Sequence, residues 1–156
     1  MFLKVLLIED NPGDIRLTRE AFRDSNISIS LNVVTDGVEA MQFLRREGAY
    51  VDAPRPDLIL LDLNLPKIDG RQVLTLIKGD DRLKAIPTVI LTTSEAEADI
   101  MTSYQLQANC YLSKPVQLDA FENLAKSIGD FWFTKVRLPR RGPPDRAPME
   151  TRPIGR

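Results

Sequence analysis

The sequence predicts an α/β domain, a doubly wound sheet of five parallel strands in the order 2-1-3-4-5. Three observations carry this. Five short apolar runs alternate with helix-period stretches across residues 1–138, the pattern of successive strand–helix–strand units. Leu3–Ile8, Leu58–Leu61 and Thr88–Leu91 are almost continuously apolar, as strands covered on both faces must be. Ser28–Val34 instead alternates Ile29, Leu31 and Val33 with Ser30 and Asn32, which suits an edge strand with one wet face.

Leu3–Ile8 is the first strand. Ile15, Thr18 and Phe22 then share one face of a helix. Ser28–Val34 follows as the second strand and the sheet's edge. Val38, Met41 and Leu44, spaced by threes, predict a second helix. Leu58–Leu61 is the third strand, and Val73, Leu74 and Ile77 stripe the next helix. Thr88–Leu91 is the fourth strand, followed by a stripe of Ile100 and Tyr104. Cys110–Leu112 is a weaker fifth strand, at the other edge. Phe121, Leu124, Ala125, Ile128 and Trp132 form the longest stripe. Core packing accounts for all these stripes. Asp14, Asp36 and Ser94 stand where side-chain oxygens would cap helix N-termini.

At 156 residues the chain has the length of one domain. Hydrophobic residues make up 43% and charged residues 28%, which is ordinary for a globular domain. The net charge of −1 gives no global field for nucleic acid or membrane. No apolar run is long enough to span a bilayer, and the N-terminus turns acidic too soon for a signal peptide. A cytoplasmic protein is expected. The single cysteine, Cys110, excludes an internal disulfide. The absence of histidine excludes a Ser-His-Asp triad, a His-based zinc site and a self-contained phosphohistidine relay.

Composition shifts near Pro139. Residues 140–156 hold four of the 11 prolines, five of the 21 basic residues and two of the 22 acidic ones. Residues 1–139, the expected domain, therefore carry 16 basic and 20 acidic residues. With only Met149 and Ile154 as large apolar side chains, residues 140–156 are expected to be a disordered tail.

In such a sheet, sites form beyond the carboxyl ends of the strands, where the strand order reverses. Glu9 and Asp10 follow strand 1, Asp62 ends strand 3, Thr92 ends strand 4, and Lys114 and Pro115 follow strand 5. The predicted order sets these ends side by side. Three carboxylates so close raise one another's pKa unless a cation intervenes. Oxygen ligands suit a hard ion, Mg²⁺ first. The ion would leave one carboxylate able to act as nucleophile, with an ammonium and a hydroxyl to hold the oxygens of an incoming phosphoryl group. Any one of these residues alone could be a cap or a loop residue; five on one rim make a candidate phosphoryl-transfer site.

The segments LLIEDNPGD (6–14), LILLDLNLPKIDG (58–70), PTVILTTSEAEADI (87–100) and CYLSKPV (110–116) closely resemble the receiver domain of two-component response regulators, over about residues 3–130. The resemblance implies a flavodoxin-like fold and phosphorylation of Asp62 by a histidine kinase's phosphohistidine. It places Glu9, Asp10 and Asp62 in the acidic pocket, with Mg²⁺ on Asp10, Asp62 and the backbone carbonyl of Asn64. It pairs Lys114 with a phosphoryl oxygen and puts Pro115 after a cis peptide bond. It makes Thr92 the hydroxyl that moves to the phosphoryl group and Tyr111 the switch aromatic, although an ordinary strand aromatic fits Tyr111 equally. Asn64 and Ser94 flank Asp62 and are expected to set how fast water removes the phosphate.

The stretch GAYVDAPRPDLILLDLNLPKIDG, the TTS after strand 4 and the segment FWFTKVRLP (131–139) resemble more closely the single-domain receivers that serve phytochrome kinases. That group implies a phytochrome-type kinase partner and homodimers through the end that holds Phe131, Trp132 and Phe133. Residues 140–156 cannot form a DNA-binding helix-turn-helix, so output is expected through protein contact or relay. Two other readings stay open. One is a phosphate-independent docking protein on the same fold. The other is a phosphatase or phosphomutase with an aspartate nucleophile, though such enzymes usually carry a second acid two residues on, where this chain has Asn64.

Overall fold

The computed structural model describes residues 2–25, 27–92, 110–114 and 116–129. Its strands are β1 (Leu3–Ile8), β2 (Ile29–Val34), β3 (Leu58–Asp62), β4 (Thr88–Thr92) and β5 (Cys110–Ser113). Its helices are α1 (Pro12–Arg23), α2 (Gly37–Arg45), α3 (Gly70–Lys78) and α4 (Leu118–Gly129), with a 3-10 turn at Gly48–Tyr50. The stripe expected at Ile100 and Tyr104, the cap expected at Ser94, Pro115, and residues 131–156 lie outside the described residues.

All five strands are parallel, in the order β2-β1-β3-β4-β5. Because β-strand side chains alternate between faces, the apolar strands supply two cores at once. Leu6, Ile8, Ile59, Leu61 and Ile90 pack with Met41, Phe43 and Leu44 of α2 and Val73, Leu74 and Ile77 of α3. Val5, Leu7, Leu58, Leu60, Val89 and Leu91 pack on the other face with Phe22 of α1 and Phe121 of α4. The Phe22 and Phe121 rings lie 4.0 Å apart between centroids at 36°. β2 lies at the sheet's edge, as its alternation predicts. Ile29, Leu31 and Val33 are only half-buried against one core, and the one buried residue of the strand, Val34, faces the other core from the side of Ser30 and Asn32.

Two expectations need correction. Asp14 does not cap α1. Pro12 is favoured at the first helical position because it has no N–H to satisfy. The cap therefore falls one residue earlier, on Asn11, whose Oδ1 accepts the Asp14 backbone N–H at 2.9 Å. The α2 stripe is also rotated. Met41 and Leu44 are buried, but Val38 is exposed, and Gly37, Ala40 and Phe43 complete the buried face. Asp36 does cap α2, accepting the Glu39 N–H at 2.7 Å. For α3 the cap is Asp69, in a reciprocal capping box with Gln72.

Candidate functional site

Parallel strands bring their carboxyl ends to one rim. Pairing of β1 with β3 sets Ile8 beside Leu61, so Glu9 and Asp62 follow as neighbours. Asp62 lies beside Leu91, and Thr92 beside Ser113. Glu9 and Asp62 are buried, Asp10 is exposed, and carboxylate oxygens of all three lie within 4.8 Å of one another.

Lys114 enters this cluster from the residue after β5. Its Nζ lies 2.7 Å from Glu9 Oε1, 3.0 Å from Asp14 Oδ2 and 3.2 Å from Asp62 Oδ2. The Lys114 side chain is 8% exposed, that of Asp62 5% and that of Glu9 1%, against 28% for Asp14. Burial raises the Glu9 carboxyl to about 7, and the Asp62 charge adds to this, although Lys114 pulls the other way. Burial pulls Lys114 down, but Glu9, Asp14 and Asp62 outweigh it and hold the ammonium above its ordinary range.

The backbone contributes too. Asn11 N–H donates to Glu9 Oε2 at 3.2 Å, and Asn64 N–H to Asp62 Oδ1 at 3.1 Å. Two glycines hold the loop after Asp62 close to its neighbours. A Cβ on Gly70 would fall 2.4 Å from the Asp62 carbonyl oxygen and 2.5 Å from Leu63 Cα. A Cβ on Gly37 would fall 2.2 Å from the Ile68 carbonyl oxygen. Lys67, at φ 67°, turns that loop and pairs with Asp36 at 3.3 Å.

The structure thus brings together Glu9, Asp10, Asp62 and Lys114, with exposed Asn64 beside them. Thr92 ends β4 on the same rim; its side chain lies outside the described set. Tyr111 sits on edge strand β5, 38% exposed. Sequence reasoning missed Asp14 as a partner of Lys114. The available signal was Pro12, which sets the helix start so that Asp14 falls in the first turn.

The donor set fits a hard divalent cation. All its side-chain ligand atoms are carboxylate oxygens. One of them, Glu9 Oε1, is a buried oxygen whose contact with Lys114 is an ion pair without hydrogen-bond alignment. Such an atom is under-satisfied.

Comparison with known proteins agrees with this geometry. The family profile of the response regulator receiver domain matches residues 5–126. The response regulator Rcp1 of Synechocystis sp. is 48% identical over 135 residues, which cover 86% of this chain and 92% of that protein. The crystal structure of the Mn²⁺-bound form of Rcp1 matches with a TM-score of 0.72 at 47% identity, covering 88% of this chain and 99% of that one. The crystal structure of the phosphorylated cyanobacterial phytochrome response regulator RcpA matches at 50% identity with a TM-score of 0.75, covering 90% of this chain and all of that one. The bacteriophytochrome response regulator AtBRR matches at 40% identity with a TM-score of 0.75, covering 85% of this chain and 96% of that one. With the family profile matching most of its length and a relative of nearly half identical sequence, the chain belongs to the response regulator receiver-domain family.

Proposed function

We propose that the chain is a phosphoacceptor in a two-component relay, in which Asp62 takes a phosphoryl group from the phosphohistidine of a phytochrome-type histidine kinase. The observation that carries this is the buried Asp62 carboxylate, 3.2 Å from the Lys114 ammonium and clustered with Glu9 and Asp10. The similarity to RcpA and AtBRR supports the phytochrome-type partner.

An Asp62 carboxylate oxygen attacks phosphorus. An O–P bond forms as the donor's N–P bond breaks, and the leaving imidazole keeps that electron pair and takes a proton from water. Little covalent work falls to the protein, so catalysis rests on positioning and charge. Lys114 pairs with a phosphoryl oxygen, the Thr92 hydroxyl closes on another, and Tyr111 follows it, which biases a two-state surface. Asp10, Asp62 and the Asn64 carbonyl, with Glu9 behind them, would hold Mg²⁺. When bound, Mg²⁺ neutralises charge among the carboxylates and on the transferred group. The same reading includes a homodimer through Phe131, Trp132 and Phe133, supported by sequence alone because those residues lie outside the described set.

Intact mass after incubation with acetyl phosphate tests the core of this. One Mg²⁺-dependent phosphoryl adduct is expected on the wild type and none on Asp62→Ala. No adduct on the wild type, or an equal adduct on the variant, overturns it.

A further inference from the structure

An ammonium has three N–H donors, and three carboxylate oxygens lie within 3.2 Å of Lys114 Nζ. Among the described residues, Asp14 Oδ2 is the one that accepts a hydrogen bond from this ammonium, whereas Glu9 and Asp62 meet it as ion pairs. A phosphoryl oxygen that pairs with Lys114 must draw the ammonium away from a carboxylate. Glu9 is 1% exposed, and releasing it would strand a charge away from water. Asp62 carries the group itself. Asp14 is 28% exposed and stands at the mouth of the cluster, so water can take over its solvation at little cost.

We infer that Asp14 is a positioning residue that competes with the phosphoryl group for Lys114 and so shortens the life of the phosphorylated state. This rests on the proposed phosphoacceptor role of Asp62. Two effects run in the same direction. With Asp14 in place, Lys114 is shared between the carboxylate and the phosphoryl oxygen. The Asp14 charge also opposes the negative phosphoryl group approaching the same ammonium. The Asp14 side chain serves no other partner among the hydrogen bonds and ion pairs described: the α1 cap is made by the Asn11 side chain on the Asp14 backbone N–H. Replacing the side chain therefore leaves the cap intact.

The test compares wild type, Asp14→Asn and Asp14→Glu. The proteins are labelled with acetyl phosphate and Mg²⁺, freed of the donor, and followed by intact mass as the adduct decays. Affinity for beryllofluoride with Mg²⁺, measured by calorimetry, reports the held state without hydrolysis. Asp14→Asn should retain its adduct about two- to five-fold longer and bind beryllofluoride tighter by a similar factor, the scale of a partly exposed ion pair. Asp14→Glu, which keeps the charge, should return toward the wild type. A labelled wild type with unchanged decay and affinity in Asp14→Asn overturns the role of Asp14 while the phosphoacceptor reading stands. An equal change in Asp14→Glu also overturns it, since charge would then not be the cause. A wild type that takes no label overturns the phosphoacceptor reading, and the role of Asp14 falls with it.

Discussion

Lys114 Nζ stands 2.7 Å from Glu9 Oε1, joining a residue just past β5 to one just past β1 across the width of the rim, with both side chains under 10% exposed. Neither charge can be buried alone at tolerable cost. The pair holds the acidic cluster together before a metal or a phosphoryl group is added.

Replacing Lys114 by Met should therefore be costly without Mg²⁺ and less so with it. Breaking a buried pair from one side typically costs a few kcal/mol, and proton uptake by Glu9 softens this. A loss of about 2–3 kcal/mol is expected in chelator. Mg²⁺ should then raise Tm more in Lys114→Met than in the wild type, because the variant has more charge to neutralise. Thermal unfolding with chelator and with Mg²⁺ measures both. Equal Mg²⁺ effects in the two proteins would contradict the account.

Glu9 gives the metal-free protein a pH dependence with a definite sign. Its carboxyl is raised from 4.5 to about 7 in the folded state, so the folded form binds the proton more tightly. Glu9 thus lowers stability as pH rises from the ordinary value through the folded one. Divalent cations need the deprotonated carboxylate. Mg²⁺ affinity should rise between about pH 6 and about pH 8, and Glu9→Gln should flatten that rise. Calorimetric titration at the two pH values decides it; an unchanged slope in Glu9→Gln counts against Glu9 as the titrating group.

Gly70→Ala should damage both stability and phosphorylation. The added Cβ would meet the Asp62 carbonyl oxygen at 2.4 Å and Leu63 Cα at 2.5 Å, both backbone atoms. A core forced to accept extra atoms loses about 1–3 kcal/mol, and the displaced backbone here carries Asp62. Denaturant unfolding should show the loss, and acetyl phosphate labelling should slow in molecules that remain folded. Normal labelling at full stability would mean the loop shifts freely.

Asp36 caps α2 and pairs with Lys67 of the loop after Asp62. Its pKa is lowered from 3.8, first by the Glu39 N–H and also by Lys67, against an opposing effect of burial. The sign is the reverse of that for Glu9. The stabilisation is full above 3.8 and disappears as pH falls through the lower folded value. Asp36→Ala should cost about 1 kcal/mol near neutrality. The difference from wild type should shrink in acid, as read from denaturant unfolding across the range. A constant difference down to about pH 2 would assign the effect to something other than the Asp36 charge.

Local chemistry wrote most of this fold into the chain. Leu58–Leu61 and Thr88–Leu91 read as central strands because a strand covered on both faces needs apolar residues at every position. The alternation of Ile29, Leu31 and Val33 marked the edge for the converse reason. From those strands and their helices the order followed, and with it the meeting of Glu9, Asp10, Asp62 and Lys114 on one rim. Helix phase was less legible. Val38 fits a stripe as well as Phe43 does, and only the α2–sheet contact selects which face is buried. The start of α1 turned on Pro12, and a one-dimensional pattern assigns Asp14 to a cap as readily as to a first turn. The partners of Lys114 lay beyond the sequence altogether. That Glu9, Asp14 and Asp62 converge within 3.2 Å of one ammonium depends on where α1 leaves β1 and on how far Lys114 reaches back from β5. Spacing along the chain determined which residues share the rim; packing in three dimensions decided which of them touch, because an ion pair forms on a scale of ångströms that strand order alone does not resolve.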